Sequence, residues 1–138
     1  MPMAVEIDLV YEGELRCNAT HGPSGVKVST DAPVDNCGKG ESFSPTDLVA
    51  TALGACVMTI LGIVSDRHQL NLNGTKVRVE KHMVADPVRR IGRLPVVIEM
   101  SAAVDDDMRK RLENSAATCP VMQSLHPEID KSISFLWK

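Results

Sequence analysis

The sequence predicts an α+β protein, and three observations carry that prediction. Short alternating segments punctuated by Gly, Pro, Asn and Asp occur at both ends of the chain, as strands and turns require. One long apolar run, residues 48–64, is interrupted only by Thr51 and Thr59 and follows a helix-start signal. A second, charged helical segment lies late in the chain between two further alternating stretches. The resulting order is strands, long helix, strand pair, helices and a final strand, which groups strands with strands rather than alternating them with helices. At 138 residues the chain is expected to form one domain, 1–138, with a core that needs no staples.

Each element has its own signal. Residues 4–11 alternate, with Val5, Ile7, Leu9 and Tyr11 set against Glu6, Asp8 and Val10. Glu12-Gly13 reads as a turn into a second strand, 14–20, and Gly22-Pro23-Ser24-Gly25 as a turn into a third, 26–30. A loop rich in Gly, Asp, Asn and Pro then carries Cys37 to the helix start. There Ser44 is a good N-cap, Pro45 suits the first helical position, and Asp47 completes a capping box and favours the helix dipole. Residues 72–85 read as a long strand, 86–93 as a hairpin tip with Arg89, Arg90 and Arg93, and 94–104 as the returning strand. Its Val96, Ile98 and Met100 share one face. Asp105 caps a helix running to about residue 117, with Arg109, Lys110, Arg111 and Glu113 expected to face water. A short helix restarts at Cys119-Pro120, and 129–137 alternate as the strand that closes the sheet.

Composition excludes several classes of function. The net charge of −3 and interspersed acidic and basic residues leave no basic stripe, so no nucleic-acid partner is expected. Four cysteines without a secretion signal argue for a reducing compartment. The opening Met1-Pro2-Met3-Ala4-Val5-Glu6 has neither a basic region nor an apolar one, so the expected location is cytoplasmic. The 48–64 run falls short of the ~20 residues of a membrane span and begins with a soluble-helix cap, so no membrane partner is expected either. A helix apolar on all sides must still be covered on all sides. A sheet covers one face, and small residues at Ala50, Ala52, Gly54, Ala55 and Gly62 allow a second copy of the helix to cover the other. A homodimer is therefore expected.

Two cysteines are the candidate chemistry. Taken alone, Cys56 reads as core filler in a helix interior, away from the helix-terminus N–H groups that stabilise thiolates. Cys119 sits at a helix start, where local physics makes it the more acidic thiol of the two. Cys17 reads as packing or strand surface, and Cys37 as an exposed loop thiol. His21, His68, His82 and His126 lack zinc-binding spacing relative to one another and to the cysteines, so no metal is expected. No nucleophile-elbow motif supports a Ser-His-Asp hydrolase.

The run Phe43-Ser44-Pro45-Thr46-Asp47-Leu48-Val49-Ala50-Thr51-Ala52-Leu53-Gly54-Ala55-Cys56, with Cys119-Pro120-Val121 63 residues after Cys56, resembles the OsmC/Ohr family of thiol-dependent hydroperoxide reductases. The likeness covers nearly the whole chain. It implies an OsmC-like fold, an antiparallel sheet packed on a long central helix in an intertwined homodimer, with two sites across the interface. It also implies that Cys56 attacks an organic hydroperoxide, that Cys119 resolves the sulfenic acid as a disulfide, and that an external dithiol or lipoylated protein restores the thiols. No metal, haem or flavin takes part in that cycle. Leu53, Met58, Val121 and Met122 are the expected apolar pocket walls.

The chain departs from the family pattern at one point. In the best-characterised branches a glutamate follows the proline of the helix start and pairs with an arginine that activates the thiolate. Here that position is Thr46, and the carboxylate is Asp47. No arginine lies between Gly22 and Asp66, so the cationic candidates are Arg16 and Lys39. The alternative function is a non-enzymatic protein, binding a small apolar ligand or sensing through its thiols on the same fold.

Overall fold

The computed structural model describes residues 4–138, so the opening Met1-Pro2-Met3 of the leader reading lies outside the described residues. These residues fall into two compact units, the first ending at Leu48 and the second running Val49–Lys138.

The first unit is an antiparallel sheet of β1 (Ile7–Gly13), β2 (Arg16–His21) and β3 (Lys27–Asp31), in that order. The first strand runs on through Gly13, so the turn falls at Glu14-Leu15 and not at Glu12-Gly13. Both turn residues have positive φ, 53° and 64°. That is the backbone a two-residue hairpin needs to match strand twist, and a non-glycine pair adopts it only when held. The Tyr11 hydroxyl accepts the Leu15 N–H at 3.2 Å, and the Leu15 carbonyl accepts the Ala32 N–H at 3.2 Å. The predicted alternation of β1 does not become a buried face. Ile7, Leu9 and Tyr11 are 57–63% exposed, and Val10 on the opposite face is 66% exposed.

In this unit Arg16 and Asp31 stand opposite each other across β2 and β3. The guanidinium donates to both carboxylate oxygens, Nε–Oδ1 at 2.6 Å and Nη2–Oδ2 at 2.8 Å, and reaches Glu41 at 3.4 Å. Asp31 is 1% exposed and also accepts the Glu41 backbone N–H at 3.1 Å, which ties the following loop to the sheet. The bidentate fork is the strong form of such a contact.

Helix α1 (Pro45–Arg67) begins as the sequence predicts. The Ser44 N–H donates to Asp47 Oδ2 at 2.9 Å, and the Asp47 N–H donates to Ser44 Oγ at 3.0 Å, a reciprocal capping box. Most of α1 belongs to the second unit, where Leu53, Val57 and Leu61 form a stripe at spacing four with 0% exposure. Gly54 faces the sheet. A Cβ there would lie 2.8 Å from a Val79 methyl and 3.5 Å from one of Val77, so the absent side chain sets the distance between helix and strand.

The predicted strand at 72–85 is two strands, β4 (Lys76–Val79) and β5 (His82–Val84), broken at Glu80-Lys81. Strand β5 pairs with β6 (Arg90–Arg93) in a separate hairpin, while β4 pairs with β7 (Val96–Glu99). Val96, Ile98 and Met100 are buried on one face as predicted, at 1%, 0% and 4% exposure. Helices α2 (Asp106–Ala116) and α3 (Pro120–Ser124) follow, and β8 (Ile133–Leu136) joins β7 in parallel, giving the order β4-β7-β8. The parallel pair departs from an all-antiparallel sheet for a plain reason. Two helices intervene between β7 and β8, and such a crossover is what a parallel neighbour requires.

Asp105 caps α2 by accepting the Met108 N–H at 2.8 Å. Arg109 does not face water as expected. It is half-buried, its guanidinium carbon 5.2 Å from the centroid of Trp137, which itself stacks on Phe135 at 4.7 Å. A guanidinium carried on a long apolar stem can cover a ring in this way.

Replacing Leu61 by alanine should leave a cavity under α1 and cost about 2–5 kcal/mol of unfolding free energy. Urea titration reads it directly, and a loss well below that range would show that the helix can settle into the gap.

Candidate active site

Cys56 lies in the second unit on α1, between the fully buried Leu53 and Val57 but itself only half-buried. Its thiol is therefore at the margin of the core. Cys119 comes to it from the other end of the same unit. Helix α2 ends at Ala116, and the Thr118 N–H closes back on the Ser115 carbonyl at 3.0 Å. Cys119 then takes an extended backbone, φ −61° and ψ 137°, as a residue before proline must, and Pro120 starts α3. The Cys119 side chain has 0% exposure, and its Sγ accepts the Met122 N–H at 3.2 Å. The Cys56 thiol is close enough to influence the ionisation of Cys119, and all four cysteines are free.

Burial pushes the Cys119 thiol above its ordinary range, and the neighbouring Cys56 thiol pushes in the same direction. The Met122 and Val121 N–H groups pull the other way and lose. This corrects the expectation that a helix start makes Cys119 the acidic thiol. Helix α3 has only five residues, and the sulfur that caps it is sealed from water, so desolvation exceeds what a few amide groups return. Cys119 keeps its proton at neutral pH.

Of the expected pocket walls, Leu53 is wholly core, while Met58, Val121 and Met122 are partly buried against the same apolar cluster as both cysteines. Asp47, Arg16 and Lys39 belong to the first unit, and each has a partner there. Asp47 serves the capping box. Arg16 is held by Asp31 and Glu41, and Lys39 by Glu14 at 2.5 Å. Arg16 thereby holds the Asp31 carboxyl below the usual carboxylate range, and Lys39 does the same for Glu14. Asp31 went unnoticed in the sequence, although its place opposite Arg16 followed from the strand register. Cys17 lies half-buried on β2, and Cys37 is exposed in the loop at φ 67°. Among the described residues no group of three or more His, Cys, Asp or Glu could hold a metal ion.

Comparison with known proteins gives this geometry a context. The family described as OsmC-like protein matches residues 38–134, a span that includes the capping box and both cysteines of the pair. This chain belongs to the OsmC-like family. Among solved structures, a candidate osmotic stress induced and detoxification response protein from Psychrobacter arcticus is 42% identical, with a TM-score of 0.92 over 99% of this chain and 98% of that one. An organic hydroperoxide resistance protein OsmC from Legionella pneumophila is 15% identical, with a TM-score of 0.77 over 96% of each chain. The organic hydroperoxide resistance protein OhrB of Bacillus subtilis is 15% identical, with a TM-score of 0.70 over 97% of this chain and 98% of that one. The last two show the shared fold. No curated protein matches the chain.

Two predictions follow from the electrostatics of this OsmC-like chain. Each unit by which a thiol's pKa rises removes about a factor of ten of thiolate. Iodoacetamide at mildly alkaline pH should therefore label exposed Cys37 well before Cys119 in the native protein. Equal rates, read by peptide mapping, would contradict the sealed environment of Cys119. Asp31 has a folded pKa below its unfolded one, so its contribution to stability is present above about pH 4 and lost as pH falls through the depressed folded value. Asp31→Asn should thus lower Tm at neutral pH, and the gap from wild type should close on acidification. A gap independent of pH would show that the ion pair is not the cause.

Proposed function

We propose that this protein is a cysteine-based peroxidase that reduces organic hydroperoxides to alcohols. The observation that carries the proposal is the proximity of Cys56 and Cys119 within one apolar cluster. Membership of the OsmC-like family supports it, as do the solved relatives described as organic hydroperoxide resistance proteins.

In this reading the Cys56 thiolate attacks the terminal oxygen of R–O–O–H. The O–O bond breaks, Cys56 becomes a sulfenic acid, and the alkoxide takes a proton to leave as the alcohol. Cys119, whose thiol is kept protonated by burial, supplies that proton and becomes the thiolate that the next step needs. It attacks the Cys56 sulfur, the S–O bond breaks, hydroxide leaves and takes a proton from solvent to become water, and a disulfide forms. An external dithiol, for which a lipoyl group is the proposed carrier, reduces the bridge by exchange. The cycle uses no metal, haem or flavin. The apolar side chains beside Cys119, Val121 and Met122, favour an organic over a mineral peroxide.

A homodimer is part of the proposal. Only a third of the apolar stretch of α1, a helix long and apolar enough to cross a membrane, is buried within one chain. The exposed side on α1 includes Thr51, Ala55, Thr59 and Ile63 at spacing four, a narrow surface that suits a second helix.

One equivalent of cumene hydroperoxide added to the reduced protein should remove two hydrogens from the intact mass, mapped to a Cys56–Cys119 bridge. Cys119→Ser should stop at a sulfenic acid on Cys56 that dimedone traps. Unchanged mass, or oxidation only at Cys37, would overturn the peroxidase and leave the apolar surface to a ligand-binding role.

A further inference from the structure

The charge of this chain is unevenly spread. Residues 76–93 carry six basic side chains, Lys76, Arg78, Lys81, Arg89, Arg90 and Arg93, against two acids, Glu80 and Asp86, within a chain of net charge −3. Of the two acids, Glu80 is engaged by His82 at 2.9 Å. Arg78, Arg90 and Arg93 are exposed and, among the described residues, make no ion pair.

The β5–β6 hairpin gathers part of this charge on one face. His82 stands opposite Arg93 and Val84 opposite Arg90, with the register slipping by one residue at Gly92 between them. Such a bulge re-aims the side chains beside it. Gly92 also lets Val84 close over the hairpin, since a Cβ at 92 would lie 2.6 Å from a Val84 methyl. The Arg90 guanidinium is fixed by the Asp86 and Val88 carbonyls at the tip. Like charges kept close without carboxylates work against stability.

Beside the hairpin runs a groove of about 410 Å³, lined by Val84, Ile91 and Ile129 with Arg90, His126 and Glu128. Its far wall is pinned to the hairpin, because the Asp130 N–H donates to the Gly92 carbonyl at 3.0 Å and the Leu94 N–H donates to the Asp130 carbonyl at 2.8 Å. Val84 and Val88 are exposed here, at 39% and 63%. Unpaired arginines beside a preformed apolar groove are the complement of an acidic surface that presents an apolar side chain. No Phe, Tyr or Trp lies within 76–93 to stack on a base, and the acidic balance of the rest of the chain opposes an extended polyanion.

We propose that the β5–β6 hairpin and its groove dock an acidic segment of a partner protein, which sets carboxylates against Arg90 and Arg93 and an apolar side chain into the groove. The proposal does not depend on the peroxidase reading.

The probe is a fluorescein-labelled octapeptide of alternating glutamate and leucine, titrated with the full-length protein and followed by anisotropy. Binding should saturate at low ionic strength and weaken about tenfold or more at physiological salt, as pairing across an exposed surface does. The double variant Arg90→Glu with Arg93→Glu should weaken it about tenfold or more at low salt, with Arg90→Gln and Arg93→Gln intermediate. Both positions of change are exposed, and an unaltered melting curve shows that the fold is kept. A peptide with serine in place of leucine should bind less tightly. Absence of saturable binding at low salt, or indifference to the charge reversal, overturns the proposal. So does single-stranded DNA of equal charge binding as tightly, which would make the patch a polyanion surface. Salt-sensitive self-association lost in the double variant would overturn it too, by assigning the face to a second copy.

Discussion

The structure depends on one constraint: a helix with no charged residue between Asp47 and Asp66 has to be kept from water. Helix α1 is 23 residues, about 35 Å long, and a sheet can cover only one stripe of it. That stripe is Leu53, Val57 and Leu61, with Gly54 admitting the methyls of Val77 and Val79. Cys56 falls between the covered stripe and the open side. One position earlier or later along the helix would turn it to solvent or into the core. Its half-buried place is thus a consequence of how the helix is packed.

Cys119 shows which of two opposed effects wins at a short helix start. Amide groups from α3 point at its sulfur, and in an exposed site they would favour the thiolate. Here the same sulfur is sealed beneath the chain turn from α2 to α3. Desolvation then sets the sign, and the proton stays. The result separates the two thiols by environment. One is half-buried at the margin of the core. The other is fully buried and accepts a hydrogen bond from the Met122 N–H.

Much of the fold was legible because its signals are local. The capping box at Ser44 and Asp47, the buried face of Val96, Ile98 and Met100, and the Asp105 cap follow from spacing alone. The misses share a cause, which is that tertiary neighbours decided them. The first turn moved to Glu14-Leu15 because Tyr11 and Ala32 hold two positive-φ residues there. Arg109 left the water because Trp137 offers it a ring. At the site, the motif pointed to the cysteine pair, and the structure brings the thiols together. The proton preference of Cys119 depends on burial, which no motif encodes.

The arginines carry the same lesson into the chemistry. By sequence, Arg16, Arg90, Arg93 and Arg109 are equivalent cations. In the fold Arg16 is closed into a bidentate pair with Asp31, Arg109 lies on an indole, and Arg90 and Arg93 make no ion pair among the described residues. A guanidinium is as available as its neighbours leave it. Arg16 and Lys39 already neutralise acids in their own unit. The proposed cycle draws its transferable proton and its second nucleophile from Cys119, so neither cation is required for those two steps. In that proposal the thiol pair takes on what a free arginine would otherwise assist, and it is the burial of Cys119 that holds the proton in place.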